Sequence, residues 1–140
     1  MRLIRVVAMC GLIIPGVLAQ SQKQSHKMIK VDNSFDGREV TLRVGETLEV
    51  SLSENASTGY SWTIPPDLKL KLTPALRERE ETVDGPSGPP GKSGVRHLYF
   101  EAVAAGTAEL EIHYRRSWEG EKEPTRRFRL HVLVRAAAGQ

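Results

Sequence analysis

Apolar and polar residues alternate with a period of two through most of this 140-residue chain, and this pattern constrains the fold more than any motif does. Successive side chains of a β-strand point to opposite faces, so each alternating segment can bury one face and expose the other. A short aromatic run at residues 60–64 adds one more strand candidate. The residues predicted to face inward are Val40, Leu42 and Val44; Leu48, Val50 and Leu52; Leu68, Leu70 and Leu72; Leu98, Phe100 and Ala102; Ala108, Leu110, Ile112 and Tyr114; and Phe128, Leu130, Val132 and Val134.

The alternating segments are short, and turn residues such as Gly45 and Gly106 separate them. About seven such strands without a sustained helical period predict an all-β fold, an antiparallel β-sandwich in a single domain. The same alternation places Glu49 on an outward face. Residues 75–81 are compatible with one helical turn. Residues 84–94 are rich in Gly and Pro, and we expect them to leave the sheets as a long excursion.

The N-terminus has the pattern of an export signal. A basic start precedes an apolar run over residues 6–18, which ends in small or apolar residues through Ala19. This is typical of a cleaved secretory signal peptide and is too short for a comfortable membrane span. The sequence therefore predicts a signal peptide at 1–19, a flexible lead-in at 20–27 and a folded domain at 28–140. The protein is expected to be periplasmic or secreted.

Removal of that signal would take away Cys10 and leave a cysteine-free chain with a net charge of only +1. Cysteine chemistry and thiolate metal sites are then excluded, and so small a charge gives no indication of a nucleic-acid or membrane partner. Nothing in the sequence requires more than a monomer. The remaining histidines in the predicted strands lack metal-ligand spacing and are interpreted as solvated surface residues: His97, His113 and His131.

No catalytic or cofactor site emerges from the sequence. The run Gly91-Lys92-Ser93 resembles the end of a phosphate-binding loop, but Pro86 stands where that motif needs its first glycine. A Ser/His/Asp set could be drawn from Ser57, His113 and Asp84, yet no nucleophile-elbow pattern brings them together. We therefore expect neither an enzyme nor a bound cofactor or metal.

Three loops carry the functional signal. The first loop, residues 55–60, reads Asn-Ala-Ser-Thr-Gly-Tyr; the second, residues 91–94, reads Gly-Lys-Ser-Gly; the third, residues 114–120, contains Trp118. Large aromatic residues left on loops are candidates for binding anchors. Each loop also has an ordinary interpretation: a tight turn, a flexible connector, and a Trp118 that folds back to close the core.

Taken in order, the three loops resemble those of chagasin-type inhibitors of papain-like cysteine proteases. That family's loops read N-P-T-T-G-Y, G-x-G-G and R-P-W; the last corresponds here to Arg116-Ser117-Trp118. This chain departs from the pattern at Ala56, Ser93 and Ser117, and these departures should weaken rather than abolish inhibition. The resemblance covers essentially all of the chain after the signal.

The resemblance implies an immunoglobulin-like sandwich and a reversible inhibitor that fills the protease cleft with three loops. Thr58 would then lie nearest the catalytic cysteine of the target, and Trp118 would pack on an aromatic residue of the enzyme. The implied protease-binding residues are Asn55, Ser57, Thr58, Gly59, Tyr60, Gly91, Lys92, Ser93, Gly94, Arg116 and Trp118. The alternative from another functional class is an immunoglobulin-like adhesion or assembly module that binds a surface partner.

Overall fold

A computed structural model describes residues 27–85, 93–120 and 122–137, apart from the side chain of Ala56, and shows two packed β-sheets. Strands are numbered along the chain. The first sheet contains β1 (Met28–Asp32), β3 (Thr47–Glu54), β5 (Leu76–Glu78), β6 (Thr82–Asp84) and β7 (Gly94–Ala102). The second contains β2 (Arg38–Arg43), β4 (Tyr60–Thr63), β8 (Gly106–Arg116) and β9 (Arg126–Arg135). The predicted signal peptide and lead-in lie almost wholly outside the described residues.

The prediction of an all-β sandwich is confirmed, but its pairing is not antiparallel throughout. In the first sheet the order is β1-β3-β7-β5, with β6 also pairing with β7; in the second it is β2-β9-β8-β4. Among the described residues, the pairs β1–β3 and β2–β9 are parallel, whereas the other five are antiparallel. The chain crosses to the second sheet as β2 before returning as β3, so β1 and β3 run in the same direction. Alternation within a strand carries no information about this crossover.

The core lies between the sheets and contains most of the residues expected to face inward from the alternation, although Val40, Val44, Leu68 and Tyr114 are only partly buried. Leu48, Val50 and Leu52 face this core from β3, and Leu110 and Ile112 face it from β8. Trp62, Phe100 and Phe128 are its largest fully buried side chains. Since the two sheets bury one face each, the connections between strands are pushed to the two ends of the sandwich.

The Leu/Lys alternation at residues 68–72 is not a strand, contrary to the sequence-based prediction. A helix, α1, spans Pro66–Lys69, and a 3-10 turn spans Leu70–Leu72. Pro66 fits the first helical turn, where no intrahelical N–H bond is needed. Leu72 is buried, while Leu70 is 74% exposed. Residues 68 and 72 are four apart and share a helical face, which explains why the middle leucine is left outside.

Two further segments differ from expectation because they form short strands on the same edge of β7. β6 pairs with the first half of β7, and β5 pairs with its second half. Residues 75–81, proposed as a helical turn, instead contain β5. The predicted excursion at residues 84–94 is flanked by paired residues, since Asp84 ends β6 opposite Val95 and Gly94 begins β7 opposite Glu54. Only residues 86–92 of the predicted excursion lie outside the described part of the chain. Pairing therefore extends further into this Gly/Pro-rich segment than its composition indicates.

Glu49 and His97 do not lie on an open surface as predicted. His97 Nδ1 lies 2.9 Å from Glu49 Oε1, and His97 Nε2 lies 2.9 Å from Asp84 Oδ2. Glu49 is only 6% exposed. Burial raises the pKa of Glu49, but hydrogen bonds from His97, Lys30 and Ser51 outweigh it and hold that pKa below its ordinary value. The outer face of the first sheet thus carries a covered ionic cluster.

His113 is likewise covered, through contact with Glu111, which lies two residues earlier on the same strand. The distance from His113 Nε2 to Glu111 Oε1 is 2.7 Å, and this hydrogen bond is the main cause of the lowered pKa of Glu111. Of the three strand histidines, only His131 is as open to solvent as the sequence predicted. Carboxylates of neighbouring strands cover His97, whereas Glu111 of the same strand lies against His113, and the alternation reveals neither contact.

Candidate functional site

The ends of four strands bring the described parts of the three loops to one end of the sandwich. Glu54 at the end of β3 pairs with Gly94 at the start of β7. Tyr60 at the start of β4 pairs with Arg116 at the end of β8. The first loop therefore connects the two sheets, while the second and third loops each begin or end on a neighbouring strand.

Hydrogen bonds within the first loop close it into a compact turn. Ala56–Thr58 form a 3-10 turn in which the Thr58 N–H and Oγ1 both donate to the carbonyl of Asn55, at 3.2 and 2.7 Å. The Ser57 hydroxyl donates to the side-chain carbonyl of Asn55. Ser57 and Thr58 remain exposed at the tip. The loop is thus a compact 3-10 turn that presents two small hydroxyl residues to solvent.

Aromatic residues of the second sheet fix both ends of the first loop. Tyr114 Oη accepts a hydrogen bond of 3.0 Å from the Asn55 N–H. The ring of Tyr114 stacks on Tyr60, with centroids 5.2 Å apart, and packs against Trp62 at 4.9 Å. Trp62 is fully buried, and its indole N–H donates to the carbonyl of Ser53. These contacts connect the loop directly to the core.

The third loop presents Trp118 to solvent. A 3-10 turn spans Ser117–Glu119, and Gly120 follows with a positive φ of 58°. Trp118 is 69% exposed, so the interpretation in which it closes the core is wrong; Trp62 fills the core instead. Arg115 Nη1 donates to the carbonyl of Gly120 at 2.9 Å and closes the base of this turn.

Trp118 packs directly on the first loop at Gly59. The φ of Gly59 is 79°, and a Cβ atom built there would overlap the tip of the Trp118 indole. Glycine is therefore required twice at this position, for its backbone conformation and for the close approach of the ring. The first and third loops form one continuous surface through this contact.

Arg116 joins the same two loops from the end of β8. Its Nε donates to the Thr58 carbonyl at 3.0 Å, and its guanidinium lies 4.4 Å from the centroid of the Tyr60 ring. The guanidinium also lies 5.7 Å from the Trp118 ring, and Nη1 is 3.7 Å from a carboxylate oxygen of Glu119. Arg116 is thus engaged within the protein on several sides.

A buried ion pair supports the bases of the first and second loops. Both carboxylate oxygens of Glu54 accept from Arg96, at 2.7 and 3.0 Å, and one of them also accepts from the Trp62 N–H. Arg96 Nη1 donates to Glu81 at 2.7 Å. The hydrogen bonds to Glu54 raise the pKa of Arg96, which therefore stays charged at any ordinary pH.

Only part of the predicted second loop can be described. Gly91 and Lys92 lie outside the described residues, while Ser93 is exposed and Gly94 is buried at the start of β7. A Cβ atom at Gly94 would lie 2.6 Å from the carbonyl oxygen of Asp84. Gly94 therefore permits β6 and β7 to approach closely at the base of the loop.

The structure brings together six of the residues predicted from the first and third loops: Asn55, Ser57, Thr58, Gly59, Arg116 and Trp118. Tyr60 lies below them as packing. The sequence reasoning did not identify Glu54, Arg96 and Tyr114 as supports. The sequence did contain a signal for Glu54 and Arg96, because both are charged residues at positions that the alternation predicts to face inward. A charge at such a position needs a buried partner.

Within the described ranges, no group of three or more His, Cys, Asp or Glu side chains is arranged to hold a metal ion. The same part of the chain contains no helix with the length and apolar character needed to span a membrane. What the loop end offers is an exposed surface of hydroxyl, backbone and indole groups on a stiff support. Such a surface is suited to binding a complementary partner.

Comparison with known proteins gives a consistent family. The profile of the chagasin family peptidase inhibitors (I42) matches residues 41–132. Chagasin of Trypanosoma cruzi is 31% identical over 113 residues, which cover 77% of this chain and 96% of chagasin. Amoebiasin-2 of Entamoeba histolytica is 31% identical over 91 residues, covering 64% of this chain and 72% of that protein.

A solved structure agrees with these sequence relatives. The crystal structure of a cysteine protease inhibitor from Entamoeba histolytica superposes with a TM-score of 0.64 and 25% identity. The match covers 78% of this chain and 96% of the other. The predicted immunoglobulin-like β-sandwich is confirmed, and the chagasin-type resemblance found in the loops extends to the whole fold.

We predict that Gly59→Ala displaces the Trp118 indole, whereas Gly37→Ala does not. Both glycines have a left-handed φ, 79° and 75°, but no atom lies within 4 Å of a Cβ at position 37. Each variant should lose about 1–2 kcal/mol of stability from backbone strain. Only Gly59→Ala should also move the Trp118 indole resonance in an NMR spectrum. An unchanged Trp118 resonance in Gly59→Ala would show that the ring does not rest on this glycine.

Proposed function

This chain belongs to the chagasin family of peptidase inhibitors, and we propose that it reversibly inhibits papain-like cysteine proteases by filling their active-site cleft with its three loops. The observation that carries this proposal is the continuous exposed surface formed by Thr58, Gly59 and Trp118 at one end of the sandwich. The structural relative from Entamoeba histolytica is a cysteine protease inhibitor, and this supports cysteine proteases as the target class.

The stiffness of this surface suits an inhibitor. A protein that occupies a protease cleft must resist being drawn into a cleavable extended conformation. The hydrogen bonds of Thr58 to Asn55 hold the first loop in a turn, and Tyr114 fixes its base. Loops that are ordered before binding lose little conformational entropy on docking, so more of the contact energy remains as affinity.

The residues have distinct proposed roles. Thr58, flanked by Ser57, enters the cleft nearest the catalytic cysteine. Trp118 packs beside it on an aromatic residue of the enzyme, since an indole supplies a large apolar area with few rotatable bonds. The second loop lies along the other side of the cleft through backbone contacts. The inhibitor itself performs no chemistry.

We also propose that the protein is exported and acts after cleavage behind Ala19. The support is the basic start followed by the apolar run at residues 6–18. Expression of the full chain in a Gram-negative bacterium should yield, in the periplasm or medium, a protein whose N-terminal sequence begins at Gln20. An intact Met1 N-terminus on protein confined to the cytoplasm would contradict export.

We predict that the domain from residue 20 onward inhibits papain reversibly and leaves trypsin unaffected. Thr58→Arg should abolish or strongly reduce this inhibition, because a long charged side chain at the loop tip prevents entry into a narrow cleft. The measurement is residual papain activity together with association and dissociation rates. Equal rates for wild type and Thr58→Arg would show that the first loop stays outside the cleft. Absence of inhibition by the wild type would favour the adhesion or assembly module.

We predict that Trp118→Ala weakens inhibition by about 2 kcal/mol, or roughly 30-fold, as is typical of an interface hot spot. Leu70→Ala is the matched control, because Leu70 is 74% exposed against 69% for Trp118 and lies in the connection between β4 and β5. The control should leave the inhibition constant unchanged. Both variants should keep the wild-type unfolding temperature. If the two variants inhibit equally well, Trp118 makes no useful contact with the enzyme.

A further inference from the structure

We propose that Arg116 is a positioning residue that locks the first and third loops together before any protease binds, and that it does not itself supply the main contact with the enzyme. This inference rests on the proposed function for its effect on inhibition. The locking itself is a property of the free protein. It assigns Arg116 a different role from the direct protease contact that the family resemblance implies.

The first step is where the donors of Arg116 point. The Nε–H donates to the Thr58 carbonyl at 3.0 Å, and the guanidinium lies over the Tyr60 ring. Its Nη1 atom faces Glu119 within the third loop. Arg116 is partly buried, whereas Trp118 is exposed. The Nε–H donor and the face of the guanidinium are therefore both engaged inside the protein.

The second step is what the Thr58 carbonyl controls. This carbonyl belongs to the peptide that joins Thr58 to Gly59, and Gly59 has a φ of 79°. The Thr58 N–H and hydroxyl already donate back to Asn55, but those bonds do not fix the plane of the following peptide. A peptide next to glycine can rotate easily because glycine accepts either sign of φ. The hydrogen bond from Arg116 removes that freedom.

The third step links this peptide to the indole. The Thr58–Gly59 peptide ends at the Cα atom on which the Trp118 ring rests. Arg116 holds the carbonyl at one end of the peptide, and Trp118 covers the glycine at the other. Both side chains come from the end of β8 and the turn that follows it. Loss of Arg116 should therefore release the loop tip and the indole together.

Lysine at position 116 would be a sharp test because it keeps the charge and removes the lock. The donor to Thr58 is Nε, and lysine has a methylene group at that point of its side chain. Lysine also lacks the planar guanidinium that stacks on Tyr60. An enzyme contact that depends on positive charge should largely survive Arg116→Lys, whereas the intramolecular lock should not.

The neighbouring Arg115 provides a matched control. It sits on the same strand end, carries the same charge and donates to the Gly120 carbonyl instead of to the first loop. Arg115→Lys therefore makes the same chemical change one residue away. It leaves the bond between Arg116 and Thr58 in place. Any effect of general charge or strand-end packing should appear in both variants.

The experiment measures ¹⁵N relaxation of the free protein and inhibition of papain for wild type, Arg116→Lys and Arg115→Lys. We expect Arg116→Lys to increase the motion of the Thr58, Gly59 and Tyr60 amides without protease present. If only about a tenth of the molecules keep the first loop in the conformation that binds the protease, the inhibition constant should rise about tenfold. Arg115→Lys should match the wild type at the first-loop amides, because its own bond is to the Gly120 carbonyl of the third loop.

Two outcomes would overturn the proposal. Unchanged first-loop motion in free Arg116→Lys, with weaker inhibition, would make Arg116 a direct contact with the enzyme. Increased motion with unchanged inhibition would show that the lock does not serve binding. Failure of the wild type to inhibit papain would remove the proposed function, while the relaxation data on the free protein would still decide whether Arg116 locks the loops.

Discussion

The buried ion pair between Glu54 and Arg96 is the constraint on which the loop end of this protein depends. The Glu54 side chain is 2% exposed, and an unpaired carboxylate at such a position would be strongly destabilising. Its oxygens are satisfied by Arg96 and by the N–H of Trp62. Three strands, β3, β4 and β7, must therefore meet at one point, and this point is the base of the first and second loops.

Above that base, residues of β8 in the second sheet hold the first loop in place. Tyr114 and Arg116 are two residues apart on β8, so their side chains lie on the same face of the strand. Tyr114 holds the first residue of the first loop, and Arg116 holds the carbonyl of Thr58 near its tip. The end of β8 thus supports the first loop, which connects β3 to β4. The first and third loops are therefore held together by the same strand end.

The core residues and the two-sheet architecture could be predicted from the sequence, because alternate residues of a strand face opposite sides of the sheet and only one side is buried. The prediction from the sequence failed at residues 68–72, where a leucine alternation is equally compatible with residues 68 and 72 on one helical face after a proline pair. It also missed the parallel edge pairs and the carboxylate partners of His97, which depend on contacts between distant segments. The loop motifs located the candidate site, but the supports beneath it required knowing which strands are neighbours.

The replacement of the family's prolines by Ala56 and Ser117 changes how this chain can keep its loops stiff. Proline restricts a loop even when nothing touches it, because its ring limits φ in every state of the chain. The hydrogen bonds that Arg116 and Tyr114 make with the first loop act only while the surrounding strands are in place. In this protein the order of the first loop is therefore conditional on the order of β8 and the third loop. The two loops should loosen together, so the loop surface is only as stable as the sheet that carries it.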